Sequence, residues 1–296
     1  MNELINKGKV SKNSKIAMVN DGSKDKTWEI ISKLHQENNL FTGINLSRNK
    51  GHQNALLAGL MTAKKYADIT ISLDADLQDD IKVIEKFVDK YIEGYDIVYG
   101  VRSSRNKDTF FKKFTAESFY KFMQVLGVDI VYNHADYRLM SKRTLDALEN
   151  YQEVNLFLRG IVPQIGFQST SVEYERNERF AGESKYPLKK MISFAFEGIT
   201  SFSVKPIRFI TNMGILIFAV SIIMLIYFLI QHFTDNTVSG WSSIIVSIWA
   251  LGGLQLLSIG IIGEYIGKIY LETKNRPKYI IESILNDTSK SSEKND

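Results

Sequence analysis

The chain has 296 residues, 44% of them apolar and 24% charged, with four Pro and no Cys. That length holds one large domain or two modest ones with a sizeable core. The absence of Cys excludes disulfides, thiolate nucleophiles, Fe–S clusters and Cys-built zinc sites, and four scattered histidines (His35, His52, His134, His232) argue against a His-built metal site. A net charge of +4 is too mild to point to nucleic acid as a partner.

Short apolar runs alternate with helical patterns along the first third of the chain. Lys15–Val19 reads as a strand that stops at the turn residues Asn20-Asp21-Gly22-Ser23. A helix is predicted from Thr27 to about Asn38, a strand at Thr42–Leu46, and a helix from about Gln53 to Lys65. Asp68–Leu73 is a β-rich run that ends in an acidic turn, followed by a helix near Ile81–Glu93 and a strand at Asp96–Tyr99. This alternation predicts an α/β domain with a mostly parallel sheet and its functional residues at the strand carboxyl ends.

The acidic turn Ser72-Leu73-Asp74-Ala75-Asp76-Leu77-Gln78 is the most informative segment. Residues two apart on an extended backbone project to one side, so Asp74 and Asp76 can converge just past the strand. Converging carboxylates repel unless a cation sits between them. Oxygen ligands select a hard ion, Mg²⁺ or Mn²⁺, which commonly completes its shell with substrate phosphates, and Gln78 offers a further neutral oxygen. A bare Asp-x-Asp is more often a solvated turn, so the pair alone does not establish a metal site and its companions must decide.

Further along, Pro187–Lys205 carries Leu188, Met191, Ile192, Ala195, Ile199 and Phe202 at helical spacing, which predicts an amphipathic helix over 187–206. It reads either as a helix lying in the headgroup plane or as a surface helix of the soluble domain. From Ile207 to Gly263 the only formal charges are Arg208 and Asp235. The uncharged run Phe209–Gln231 reaches roughly 34 Å at about 1.5 Å per residue, enough to cross a membrane, and Trp241–Gly263 is a second such run. Transmembrane helices are therefore predicted over 207–232 and 241–266. The linker between them has no Lys or Arg. Lys189, Lys190, Lys205 and Arg208 precede the pair, and Lys268, Lys274, Arg276 and Lys278 follow it. The positive-inside rule then places a multi-pass protein in the cell membrane with its soluble domain and both termini cytoplasmic. Gly252, Gly253, Gly260 and Gly263 permit close helix packing, so a homo-oligomer is compatible with the second span. Residues 267–296 form a C-terminal segment whose last stretch, NDTSKSSEKND, is expected to be disordered. Met1–Lys15 lacks the apolar core of a signal peptide.

Six segments appear in order: VNDGSKDKT (Val19–Thr27), LSRNKGHQNAL (Leu46–Leu56), DADLQD (Asp74–Asp79), GVRSSR (Gly100–Arg105), DYRLMS (Asp136–Ser141) and RFAGESKYPLKK (Arg179–Lys190). Together they resemble the family 2 glycosyltransferases that load polyprenyl phosphates, such as bactoprenol glucosyltransferases and dolichol-phosphate mannose synthases. GIIGEYIGKIYLETKNRPKYI (Gly260–Ile281) after the spans is similar to the bactoprenol subgroup. The resemblance implies a cytoplasmic GT-A-type domain over residues 1–186. It implies a nucleotide-diphosphate sugar donor, UDP-glucose by analogy, and a polyprenyl (undecaprenyl) phosphate acceptor. It also implies transfer with inversion and a Mg²⁺ or Mn²⁺ cofactor.

On the same resemblance Asp74 and Asp76, with Gln78 beside them, hold the metal on the donor diphosphate, and Asp21 contacts the nucleotide base. Arg102, Arg105, Arg138, Arg179 and Lys185 are the candidates for donor diphosphate and acceptor phosphate, since guanidinium forks suit phosphate oxygens. Arg48, Asn49 and His52-Gln53 are candidates to line the donor site, with a structural role for His52 equally open. Asp136 matches the acidic residue often called the catalytic base. A phosphate monoester is largely dianionic at neutral pH and needs no base, so Asp136 is alternatively a group that orients Arg138 or the acceptor, or stabilises charge at the sugar carbon.

One departure from the family pattern concerns the start. Family members begin with an additional strand and helix, whereas MNELINKGKVSKNSK looks like the tail of that helix. The expectation is a GT-A domain incomplete at its N-terminus, with an unpaired strand edge. Two functions follow from this reading: a membrane glycosyltransferase, or an inactive copy that acts only as a membrane-associated protein.

Overall fold

The computed structural model describes residues 1–102, 134–153, 156–175, 205–233 and 241–286. One helical turn, α1 (Asn2–Asn6), opens the chain. The apolar run of β1 (Ile16–Asn20) follows and ends at Gly22, whose φ of +61° turns the backbone sharply. Next, α2 (Thr27–Glu37) buries Ile31 and packs on β2 (Phe41–Leu46). Gly43 makes that approach possible, because a Cβ there would stand 2.7 Å from Ile31 Cγ2 and 3.0 Å from the Trp28 ring. The third helix, α3 (His52–Ala63), buries Ala55, Leu57, Ala58, Leu60 and Met61 and packs against β1 and against β3 (Ile69–Ser72). Beyond the acidic turn come α4 (Val83–Ile92) and β4 (Ile97–Arg102), then β5 (His134–Ser141), α5 (Lys142–Glu149), α6 (Leu158–Gln164) and β6 (Ser169–Tyr174).

The strands form two sheets. The first runs β1-β2-β7, with β1 and β2 parallel and β7 (Ile281–Leu285) antiparallel to β2; the second runs β3-β5-β4-β6. In the second sheet β5 lies antiparallel between β3 and β4, while β4 and β6 are parallel. The α/β class agrees with the expectation, and the ladders are mixed rather than mostly parallel. Strands joined by helices suggested parallel pairing, but β5 and β7 each enter against the run of their neighbours. Among the described residues β1 and β3 each carry a ladder partner on one side only.

Each sheet has its own apolar layer. Phe87, Val98, Tyr137, Leu139 and Tyr174 form a buried cluster between α4 and the second sheet, while Ile44, Leu46, Ala55 and Ala58 do the same between α3 and the first. Full burial of such a side chain contributes roughly 1.5–3 kcal/mol. Bridging both sheets is α3. Its Lys64 pairs with Asp146 at 3.1 Å and with Glu149 on α5, and Gln53 Oε1 accepts the Leu158 N–H of α6 at 3.2 Å.

The seven strands belong to one compact unit, and α7 (Lys205–Phe233) and α8 (Trp241–Lys274) belong to another. Both helices are long and apolar enough to cross a membrane, with windows at Ile207–Met224 and Leu251–Lys274 of mean hydropathy 2.0 and 1.2. Neither window is buried, and large apolar side chains such as Phe209 and Leu256 are exposed. That distinguishes them from the core helices of a soluble protein, which hide such surface. The predicted juxtamembrane helix lies outside the described residues, apart from Lys205 and Pro206, which begin α7. The predicted C-terminal segment contains a strand, β7, that its polar surroundings concealed.

Candidate active site

The loop that leaves β3 carries Asp74, Asp76 and Gln78. Its backbone is held from both ends. Ser72 Oγ donates to the Asp136 carbonyl at 2.6 Å, fixing the end of β3 on β5. On the far side Tyr137 Oη donates to the Asp80 carbonyl at 3.1 Å, and Tyr174 Oη donates to Asp79 Oδ1 at 2.6 Å. Tyr137 packs tilted against Phe87 and meets Tyr174 edge-on in the core, so the loop is anchored on the packed centre of the sheet. Within the loop the Gln78 N–H donates to Asp76 Oδ1 at 3.1 Å, and Leu77 adopts φ +59° although it is not glycine. A left-handed L-residue costs about 1–2 kcal/mol, so the surrounding contacts impose this turn.

Asp74 is half-buried. Desolvation pushes its carboxyl above the usual range, and the neighbouring charges of Asp136, Asp79 and Asp76 push the same way, against His52. Carboxylates that repel one another in this way are eased by a cation. Among the described residues no group of three His, Cys, Asp or Glu gathers around one point, so Asp74 and Asp76 could hold such an ion only in the manner that leaves sites for substrate phosphate. Gln78 is buried beside them.

A second cluster centres on Asp136, which is buried on β5. Its Oδ1 accepts from Arg138 Nη2 at 2.6 Å and Arg159 Nε at 3.3 Å; its Oδ2 accepts from Arg159 Nη2 at 3.0 Å and lies 3.2 Å from His52 Nε2. Burial alone would raise the Asp136 carboxyl. The His52 hydrogen bond and the Arg159 and Arg138 charges more than offset it, holding the group well below the usual carboxylate range. His52 is raised above its ordinary value by the Asp136 bond, against desolvation, with Asp74 adding to the shift from 3.7 Å. His52 therefore stands between Asp74 and Asp136.

Two residues singled out in the sequence have their partners here. Asp136 has four hydrogen-bonding contacts on two oxygens, about the full acceptor capacity of a carboxylate, an arrangement that suits the alternative in which it orients Arg138. Arg138 is 1% exposed and spends its fork on Asp136 and, at 3.4 Å, on the Leu158 carbonyl, so it props Asp136 and does not face a substrate phosphate.

Asp21 lies at the carboxyl end of β1. Its two oxygens accept the Lys50 N–H at 2.7 Å and the Gly51 N–H at 2.9 Å, fastening the loop before α3. This is the turn-stabilising use of Asp, and lone pairs remain on both oxygens for a further donor. The next residue after Gly51 is His52, so two consecutive residues tie the Asp21 loop to the Asp74–Asp136 cluster. Arg48 is exposed on that loop. Arg102, at the end of β4, donates from Nε to Tyr174 Oη at 3.4 Å, next to the bond that Tyr174 makes with Asp79. Arg105, Arg179 and Lys185 lie outside the described residues. Sequence reasoning missed Arg159 and the bridging position of His52. Arg159 sits in FLRG with no turn or charge pattern to mark it, and its partner Asp136 is 23 positions away.

The family model of Glycosyl transferase family 2 matches residues 2–149, and that of the GtrB C-terminal hairpin matches residues 205–269. An uncharacterized glycosyltransferase of Bacillus subtilis, YkoT, is 58% identical over 95% of this chain and 84% of its own length. A bactoprenol glucosyl transferase of Shigella phage SfX is 43% identical over 90% of this chain and 88% of its own. A prophage bactoprenol glucosyl transferase homolog of Escherichia coli is 41% identical over 91% of this chain and 88% of its own. The first model covers the strands and helices that carry Asp21, the acidic loop and Asp136, and the second covers the two apolar helices. The chain is thus a glycosyltransferase and belongs to glycosyl transferase family 2.

Proposed function

We propose that the protein transfers glucose from UDP-glucose to a polyprenyl phosphate in the membrane, inverting the sugar carbon. The relatives named bactoprenol glucosyl transferase support the acceptor and the sugar, and the two apolar helices support a lipid acceptor. The observation that carries the reading is the half-buried Asp74 at the end of β3, whose carboxyl is pushed upward by desolvation and by the charges of Asp136, Asp79 and Asp76, a placement that a hard cation shared with a substrate phosphate would relieve.

In this reaction the acceptor phosphate oxygen forms a bond to the anomeric carbon as the bond from that carbon to the nucleoside diphosphate breaks. The acceptor is largely dianionic near neutral pH and gives up no proton, which agrees with an Asp136 already saturated by cations. Asp74 and Asp76 would hold Mg²⁺ or Mn²⁺, which when bound neutralises charge on the departing diphosphate. Asp21 and Arg48 would receive the nucleotide at the ends of β1 and β2, and Arg102 the diphosphate.

The test uses membranes containing the full chain, labelled UDP-glucose and undecaprenyl phosphate. Lipid-linked label that needs Mg²⁺ or Mn²⁺ and is lost with chelator is the expected result. Asp76→Ala should lower the rate by about 100-fold or more, the scale on which lost transition-state electrostatics are felt, while the variant still inserts into membranes. Undiminished transfer by that variant overturns the metal assignment, and absence of labelled lipid from the wild type overturns the acceptor.

A further inference from the structure

We infer that Glu282 is a positioning residue for nucleotide binding: from β7, the strand after the apolar hairpin, it sets the Asp21–Ser23 loop through Asn45 and Asn20. The inference rests on the proposed reaction, in which that loop receives the nucleotide of the donor.

Three polar side chains run across the first sheet in one line. Asn20 Nδ2 donates to Asn45 Oδ1 at 2.7 Å, and Asn45 Nδ2 donates to Glu282 Oε2 at 2.8 Å. At the other end the Ser23 N–H donates to Asn20 Oδ1 at 3.3 Å, two residues past the Asp21 carboxylate that holds Lys50 and Gly51. Both asparagines are buried, where an amide left unpaired is costly. A side-chain amide has one accepting and one donating end, so its neighbours decide which way it faces. A carboxylate only accepts. Glu282 therefore turns the NH2 of Asn45 towards β7 and leaves Asn45 Oδ1 facing Asn20. That oxygen draws the NH2 of Asn20 and leaves Asn20 Oδ1 for the Ser23 N–H. The direction of every bond in the line follows from its charged end. The ladder also aims that end: Asn45 pairs with Ser283 and Leu46 with Ile281, so Glu282 is the extra residue at a register shift. Bulges of this kind re-aim a side chain.

The experiment measures UDP binding by calorimetry, and KM for UDP-glucose and for undecaprenyl phosphate, on the full chain in detergent for wild type, E282Q and E282K. E282K should weaken UDP binding and raise KM for UDP-glucose by about fivefold or more, the scale of one hydrogen bond left unmade, with KM for undecaprenyl phosphate unchanged. An ammonium only donates, so it turns both amides round and sets the NH2 of Asn20 against the Ser23 N–H. Its charge by itself would attract an anionic nucleotide, so weaker binding reports the amides and not the charge. E282Q, whose carbonyl can still accept from Asn45, should stay close to wild type. The inference is overturned if E282K binds UDP as wild type does, if E282Q loses as much as E282K, or if both KM values rise equally. Reduced thermal stability with unchanged affinity overturns it as well. If the wild type binds no UDP, the nucleotide reading of the loop falls, and the line of amides is judged by hydrogen exchange of the peptide Val19–Thr27. Faster exchange in E282K but not in E282Q sustains the positioning of the loop by Glu282, and equal exchange in all three rejects it.

Discussion

Gly22 shows how one residue ties two strand ends together. Its φ is +61°, and a Cβ added there would stand 2.4 Å from the Arg48 carbonyl carbon and 2.5 Å from Asn49 N, both backbone atoms with no room to yield. Gly22→Ala should therefore push the two loops apart and pull Lys50 and Gly51 from the Asp21 carboxylate. Backbone strain of this kind costs on the order of 1–3 kcal/mol, which thermal unfolding would register, and UDP affinity should fall with it. An alanine variant as stable as wild type would show that the loops separate freely. At this scale the sequence announced some residues and hid others for a clear reason. Asp21, Gly22, Asp74 and Asp76 sit in short turns whose residue types carry their own geometry. His52 and Arg159 acquire their positions through Asp136, 84 and 23 positions away, and no local pattern encodes that.

The elements up to β4 were legible because apolar runs, helical spacing and turn residues agreed there. β1, α2, β2, α3 and β3 fall within one or two residues of the pattern reading. β5 and β7 were not, since each is defined by partners distant in sequence. One bond between β2 and β7, from Asn45 Nδ2 to Glu282 Oε2, spans 237 positions. What fixes β5 beside β4 is a polar clasp at the strand end. Asp96, 5% exposed, accepts from Ser141 Oγ at 2.9 Å and from Arg143 Nε at 2.5 Å, and Arg143 Nη2 completes the fork; Ser141 is also the N-cap of α5. The Arg143 bond first, with the Ser141 bond, depresses the Asp96 carboxyl below its ordinary value despite opposing desolvation. A depressed carboxylate contributes stability above its unfolded pKa, about 3.9, and loses it as pH falls through the lower folded value. Asp96→Asn should cost about 1–3 kcal/mol at neutral pH. In acid unfolding followed by circular dichroism, the gap between wild type and variant should close below pH 4. A gap independent of pH would mean that shape, not charge, holds the clasp.

For the whole molecule, the strand after the apolar hairpin constrains how the chain is threaded. β7 pairs with β2, so it folds in the aqueous compartment of the catalytic domain. Only Asn275–Ile280 separates α8 from β7. At about 3.3–3.6 Å per residue that stretch reaches roughly 20 Å, less than the ~30 Å of a hydrocarbon core. The carboxyl end of α8 must then emerge on the side of the domain. If both helices span, the start of α7 emerges there too, and the linker between Phe233 and Trp241 lies opposite. By the positive-inside rule the cationic flanks, Lys205 and Arg208 before the pair and Lys268, Lys274, Arg276 and Lys278 after it, predict that the domain's side is the cytoplasm. The natural absence of Cys makes the test direct. Thr237→Cys in the linker should react with a membrane-impermeant maleimide on intact cells, whereas Ser291→Cys beyond β7 should react only after permeabilisation. Labelling of both positions on intact cells, or the reverse order, would contradict a hairpin inserted from the cytoplasm. It would also remove the case for an acceptor phosphate presented on the cytoplasmic face, since β7 binds the catalytic domain to the side on which Ser291 is found.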